Sequence, residues 1–165
     1  MIVSIIPARG GSRGIPRKNI QLVNGKPLIV WTIEASLNSV VDKTFVTTED
    51  VEIAEIASKA GATILFRPRC LAGDDSQMPE VCHFALRQII HDPNIGMPKI
   101  VVILTPTTPL RTSEYINEAT KDDEQIYKDL DLEKIEKENK KMKTRSGFVS
   151  NSSSSSFVLV GFVID

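Results

Sequence analysis

Apolar residues along this chain recur in two alternating rhythms. Short β-rich runs fall at residues 2–6, 45–47, Thr63–Phe66 and Ile100–Leu104, separated by stretches whose apolar positions repeat every three to four residues. Leu28, Trp31, Thr32 and Ala35 stand at i, i+3, i+4 and i+7, and Ile29, Ile33 and Leu37 widen that face, which predicts a helix. Ile53, Ile56, Ala57 and Ala60 form a second stripe, opened by Asp50 as a cap and closed by Gly61. Val81, Phe84, Ala85 and Ile89 mark a third helix, and the unbroken run Ile100–Leu104 reads as a strand buried on both faces. The expected class is therefore α/β, a Rossmann-like, mostly parallel sheet with flanking helices and right-handed crossovers. Sheets of this kind bind ligands outside the carboxyl ends of their strands, so chemistry is sought in the loops that follow them.

Charge divides the 165 residues into three regimes. Residues 1–120 hold 12 basic and 12 acidic side chains, residues 121–145 hold 8 of each, and residues 146–165 hold a single charge and a run of five serines, Ser152 to Ser156. This predicts a folded core over 1–120, a charged helical linker over 121–145 and a Ser-rich tail of unrelated origin over 146–165, with a short strand at 157–164. Glu133 with Lys137 and Glu136 with Lys140, each at i, i+4, suit a solvated helix in the linker. Overall 20 Lys+Arg face 21 Asp+Glu, a net charge of -1 that argues against a nucleic-acid or anionic-membrane binder. Two cysteines, Cys70 and Cys82, cannot build a disulfide framework, and with only His83 and His91 to help them they read as free thiols. The run at 2–6 has no basic residue ahead of it and does not read as a signal peptide. No stretch approaches the roughly 18 apolar residues of a membrane span, so the expected compartment is the cytoplasm.

The loop after the first strand reads Pro7-Ala8-Arg9-Gly10-Gly11-Ser12-Arg13-Gly14-Ile15-Pro16-Arg17-Lys18-Asn19. Its four cations precede the first acidic residue, Glu34, and its glycines let backbone N–H groups approach an anion closely. A polyphosphate is the expected guest. The spacing matches neither the Gly-Lys-Ser/Thr ending of a P-loop nor the Gly-x-Gly-x-x-Gly of dinucleotide folds. After the third strand, Arg67 and Arg69 offer cations and Asp74 and Asp75 offer carboxylates, while Asp75 or Ser76 is expected to cap the next helix. After the fourth, Thr105-Pro106-Thr107-Thr108-Pro109-Leu110-Arg111 is stiffened by two prolines, as suits a positioning loop, with Thr112 or Ser113 as the following cap.

These segments, together with Asn24-Gly-Lys-Pro-Leu28 and Trp31-Thr-Ile33, resemble in order the acylneuraminate cytidylyltransferases, or CMP-sialic acid synthetases. The resemblance runs from Met1 to about Thr120. It implies a nucleotidyltransferase fold, here truncated, and transfer of CMP from CTP to a nonulosonic acid with release of pyrophosphate and help from magnesium (Mg2+). By the same resemblance Ala8, Arg9, Gly10, Gly11, Ser12, Arg13, Lys18, Asn19, Arg67, Ala72 and Asp74 are CTP-binding. Lys18 and Arg9 are catalytic, stabilising charge on the transferring phosphoryl group, and Thr105, Thr107 and Arg111 border the sugar.

Three departures qualify what the resemblance implies. Thr105 stands where the family has a glutamine that contacts the sugar, Thr47-Thr48-Glu49 replaces its Ser-Thr-Asp, and nothing after Thr120 resembles its second half. With that half go the family's magnesium-binding Asp-x-Asp, its carboxylate-binding cation and its dimer segment, so impaired turnover, unknown metal ligands and a monomer or weak self-association are expected. A non-catalytic nucleotide-binding remnant, or a related sugar nucleotidyltransferase, is the alternative. Residues 142–157 are instead similar to a segment near the start of many uncharacterised phage and viral proteins.

Overall fold

The computed structural model describes residues 1–12, 14–73, 75–129, 147–150 and 156–160, with side chains through residue 121. In chain order the elements are β1 (Ile2–Pro7), the hairpin β2 (Leu22–Val23) and β3 (Lys26–Pro27), α1 (Leu28–Leu37), β4 (Lys43–Thr48), α2 (Val51–Lys59) and β5 (Thr63–Phe66). Then come α3 (Met78–His91), β6 (Ile100–Leu104), α4 (Ser113–Asp129), β7 (Gly147–Ser150) and β8 (Ser156–Val160). The α/β alternation expected from the pattern is observed, with strand ends shifted by one or two residues.

The sheet order is β5-β4-β1-β6-β8-β7, with the first four strands parallel. Ile5 pairs with Phe45 on one side and Ile103 on the other, so the central strands stack their side chains in rows. Alternation along β1 then sends Val3 and Ile5 to one face and Ser4 and Ile6 to the other. The first face packs on Cys82, Ala85 and Ile89 of α3; the second packs on Ile29 and Ile33 of α1, Ile53 and Ala57 of α2, and Ile116 of α4. Each large apolar side chain buried this way contributes about 1.5–3 kcal/mol, which is why these helices lie where their stripes fit. One polar break interrupts the second face: the hydroxyls of Ser4 and Ser36 lie 2.7 Å apart, and those of Ser36 and Thr44 2.8 Å apart.

Asp50 caps α2 as expected, accepting from the Ile53 N–H at 3.0 Å, and Gly61 follows the helix with φ 98°. The cap expected for α3 is not used. Gln77 precedes that helix, a proline occupies its first turn, where no N–H partner is needed, and Ser76 Oγ instead donates to the Cys70 carbonyl at 3.2 Å. The loop expected to be unbroken from Pro7 to Lys26 contains a 3-10 turn at Lys18–Ile20 and the hairpin, whose tip Asn24-Gly25 has φ 52° and 78°.

α4 runs on past residue 120, the expected end of the folded core, and residues 130–146 lie outside the described residues. β8 pairs antiparallel with β6, placing Phe157 opposite Ile103, and β7 pairs with β8. The strand expected at 157–164 is thus described as Ser156–Val160, and residues 161–164 lie outside the described residues. β7 was not foreseen in a segment read as a polar linker. Together the two strands cover the edge that β6 would otherwise leave open.

The order has a functional consequence. From β1 the chain moves to β4 and β5 on one side, then returns to β6 on the other, so the direction reverses between β1 and β6. At such a switch point the loops diverge and leave a crevice outside the carboxyl ends of the two strands.

Candidate functional site

The opening loop leaves the sheet under tension from several ties. Ala8 still belongs to the core: it is fully buried and its N–H donates to the Thr47 carbonyl at 3.0 Å. Arg9 Nη1 donates to the Gly73 carbonyl at 3.0 Å, and the buried Asn19 side chain donates to the Arg9 carbonyl at 2.9 Å. The Gly10 N–H donates to Glu49 Oε1 at 2.7 Å. A Cβ on Gly10 would lie 2.5 Å from Asp50 Oδ2, so the loop can reach the end of β4 only with glycine there.

Arg17 has a left-handed backbone, φ 53°, a conformation that costs a non-glycine residue free energy. Its guanidinium holds it there by donating to both Asp50 oxygens, at 2.7 and 2.9 Å, and to Glu52 at 2.6 Å. Hydrogen bonds from Arg17 pull the Asp50 carboxyl below its ordinary range against the effect of burial, with help from the Ile53 N–H. Arg17 was counted among four cations available to an anion, and the structure corrects this: it is spent on its own carboxylates. Arg13 and Asp74 lie outside the described residues.

A cleft of about 380 Å³ opens at the switch point. The opening loop contributes Arg9, Gly11, Ser12, Lys18 and Asn19 to it. Arg67, Gly73 and Ser76 come from the segment after β5, and Thr105 and Thr107 from the loop after β6. Leu71, Met78, Val81 and the two prolines Pro7 and Pro106 supply apolar wall. The cleft therefore combines three cations, several hydroxyl or amide groups, and an apolar side of a size suited to a small molecule.

Arg67 is tied from two directions. Its N–H donates to the Thr48 carbonyl at 3.0 Å, and its Nε and Nη2 donate to Glu49 Oε2 at 3.3 and 3.2 Å. Burial pushes its guanidinium below the ordinary value and Glu49 opposes that. Cys82, on the face beneath, is pushed up to about 11 by burial and stays a protonated, unreactive thiol at neutral pH. Ala72 sits in the turn that closes the 3-10 helix Arg69–Leu71 and does not line the cleft; neither do Ala8 and Gly10.

After β6, the Thr107 hydroxyl donates to that of Thr105 at 3.4 Å, and both line the cleft. Arg111 does not. It is buried, with Nη1 donating to the Thr105 carbonyl at 3.3 Å while Nε and Nη2 have no hydrogen-bond partner among the described residues. Of the residues expected at the site, the structure brings together Arg9, Gly11, Ser12, Lys18, Asn19, Arg67, Thr105 and Thr107. It adds Leu71, Met78 and Val81, of which the sequence pattern singles out only Val81, as part of the stripe of α3. Glu49, seen in the sequence only as a departure, proves central to the geometry. Among the described residues, which do not include Asp74, no three His, Cys, Asp or Glu side chains converge.

A mostly parallel sheet with a glycine-rich, cation-bearing loop at its switch point defines a Rossmann-like α/β protein. Comparison with known proteins narrows this. Residues 3–154 match the family model described as cytidylyltransferase, and the chain belongs to that family. It is 40% identical over 121 residues to the N-acylneuraminate cytidylyltransferase of Escherichia coli, covering 73% of this chain and 27% of that protein. It is 40% identical over 117 residues to the pseudaminic acid cytidylyltransferase of Campylobacter jejuni, covering 70% and 50%. A CMP-N,N'-diacetyllegionaminic acid synthase of Legionella pneumophila is 36% identical over 121 residues, covering 72% and 51%. The chain thus spans between about a quarter and a half of the length of these relatives.

Among solved structures, a CMP:2-keto-3-deoxy-manno-octonic acid synthetase complexed with CTP superposes with a TM-score of 0.61 at 21% identity, covering 74% of this chain and 48% of that one. A nucleotidyl transferase from Methanothermobacter gives 0.57 at 20%, covering 72% and 56%. At these identities the likeness is one of fold. No helix among the described residues is long and apolar enough to cross a membrane.

Proposed function

We propose that the cleft binds the triphosphate of CTP and that the chain carries the nucleotide half of a cytidylyl transfer to a nonulosonic acid. The observation that carries this reading is the convergence of Arg9, Lys18 and Arg67 with Ser12 and the Gly11 backbone on one crevice at the strand ends. In the reaction, a sugar hydroxyl oxygen bonds to the α-phosphorus and gives up its proton to solvent, the bond from that phosphorus to the β-bridging oxygen breaks, and pyrophosphate leaves with the electron pair. Arg9 and Lys18 are the cations assigned to the charge that develops on the phosphoryl oxygens. Thr105 and Thr107, at the β6 side, are assigned to the sugar. Magnesium enters with the triphosphate in this reading, and no step is assigned to it. The site of action is the cytoplasm, where CTP is made, and the chain works as a monomer or weakly associated species.

Each charge-assisted contact contributes about 1.5–3 kcal/mol, so Lys18→Ala is expected to weaken CTP binding roughly 10- to 100-fold by calorimetry. Equal affinities, or no binding by either protein, would remove the reading. A second reading, nucleotide binding without turnover, is favoured by the lack of converging metal ligands among the described residues. Incubation with CTP, magnesium and a panel of nonulosonic acids, followed for pyrophosphate and CMP-sugar, separates the two.

A further inference from the structure

The turn after β4 carries two adjacent acids with different partners. Asp50 is fully engaged by Arg17 and by the first turn of α2. Glu49 faces the other way and uses both oxygens, accepting from the Gly10 N–H on one and from Arg67 Nε and Nη2 on the other. We propose that Glu49 is a positioning residue for the nucleotide site: its single carboxylate holds the opening loop at the Gly10 peptide and the Arg67 guanidinium in one fixed relation, so that the flanking Arg9 and Gly11 face the same cleft as Arg67. This rests on the triphosphate-binding reading above.

Three observations support it. A guanidinium is a planar fork, so placing its Nε and Nη2 edge on one carboxylate fixes the direction of the whole group. The remaining nitrogen, Nη1, has no hydrogen bond among the described residues, and Arg67 lines the cleft. Second, the backbone alone does not complete the tie. Ala8 and Arg67 each donate a backbone N–H to the end of β4, at the Thr47 and Thr48 carbonyls, but the first bond lies before the loop residues that line the cleft and the second leaves the direction of the Arg67 side chain unset. Glu49 extends the same junction by one side chain on each side. Third, Arg9 and Arg67 are like charges that share the cleft, and the charge of Arg9 works against that of Arg67. Glu49, 14% exposed, supplies the counter-charge from behind the cleft, so the two cations can face one ligand together.

A double-mutant cycle tests the inference. Glu49→Gln keeps the length and an oxygen for the Gly10 N–H but presents no charge to Arg67; Arg67→Ala removes the group through which Glu49 is proposed to act. By calorimetry with CTP, E49Q is expected to weaken binding about tenfold when Arg67 is present and less than about twofold when it is absent. Equal losses in both backgrounds would overturn the proposal, since Glu49 would then act on the loop or the fold without Arg67. A second readout needs no nucleotide. The Arg67 Nε–H resonance of the ligand-free protein, assigned by its loss in R67A, is expected to be slowly exchanging and to shift or vanish in E49Q while the backbone amide spectrum is kept. If the unaltered chain binds no CTP, the nucleotide reading fails, and an Arg67 resonance unmoved by E49Q independently overturns the positioning role. Should E49Q lose the fold, Glu49→Asp takes its place in both measurements, keeping the charge but shortening the arm by one methylene.

Discussion

Arg67, just after β5, and Arg111, beyond the end of β6, are equally buried, each 7% exposed, yet they are held in opposite ways. Arg67 sets two nitrogens on a carboxylate, whereas Arg111 sets one on a carbonyl and leaves two without acceptors. Burial depresses both guanidiniums, but only at Arg67 does a neighbouring carboxylate resist. The loops after β1, β4 and β5 therefore compensate two of their cations from within, Arg17 with Asp50 and Glu52 and Arg67 with Glu49. The loop after β6 is not matched from within, so burial by itself does not reveal what a charge is for.

The contrast can be broken most directly at Arg67. Replacing one partner of a buried pair leaves the other charge uncompensated, so Arg67→Met is expected to cost about 3–5 kcal/mol in urea denaturation. Next in size is Asp50→Ala, which removes a helix cap and the bidentate partner of Arg17. With the 39% exposure of the Arg17 side chain reducing the ionic part, a loss of about 2–3 kcal/mol is expected. The Asp50 carboxyl is depressed from its ordinary 3.8, so its contribution is complete above that pH and is lost as pH falls through the lower folded value. Acid titration of stability should accordingly be steeper below about pH 4 in the unaltered chain than in Asp50→Asn. The smallest effect is expected at Arg111→Met, about 1 kcal/mol, because the one long bond to the Thr105 carbonyl is lost but no carboxylate among the described residues is stranded. A loss there as large as that of Arg67→Met would erase the distinction between the two sides of the cleft.

How much of this was legible in the sequence depends on the range of the interaction. The run Ile100–Leu104 was readable to the residue because a strand buried on both faces must be continuously apolar, whereas the edge strand Thr63–Phe66, exposed at both ends, was readable from its β-rich composition after Gly61. Asp50 was readable as a cap because its partner lies three residues away. Its second partner, Arg17, lies 33 residues away, and no local pattern announces it, so Arg17 was assigned to a ligand it does not face. Glu49 was hidden for the same reason. The hairpin escaped because its two-residue strands are too short for a period of two, although Asn24-Gly25 is itself a strong turn signal. Arg111 was placed at the sugar by position in a motif, and what the motif does not contain is the depth at which the side chain is buried.

The three hydroxyls of Ser4, Ser36 and Thr44 act on this cleft without touching it. Ser4 and Thr44 are register partners in β1 and β4, and Ser36 reaches both from α1. In a row otherwise filled by isoleucine and valine, which tolerate one another in many alignments, they are the only members that recognise each other. Because side chains alternate, a slip of one residue in the pairing of β1 with its neighbours would turn Ser4 toward α3 and bury its hydroxyl away from Ser36, at a cost of about 1–3 kcal/mol. The trio thus serves as an alignment key during assembly: it fixes which residue of β1 ends level with which residue of β4. That alignment in turn decides whether Gly10 arrives opposite Glu49 or one step away from it.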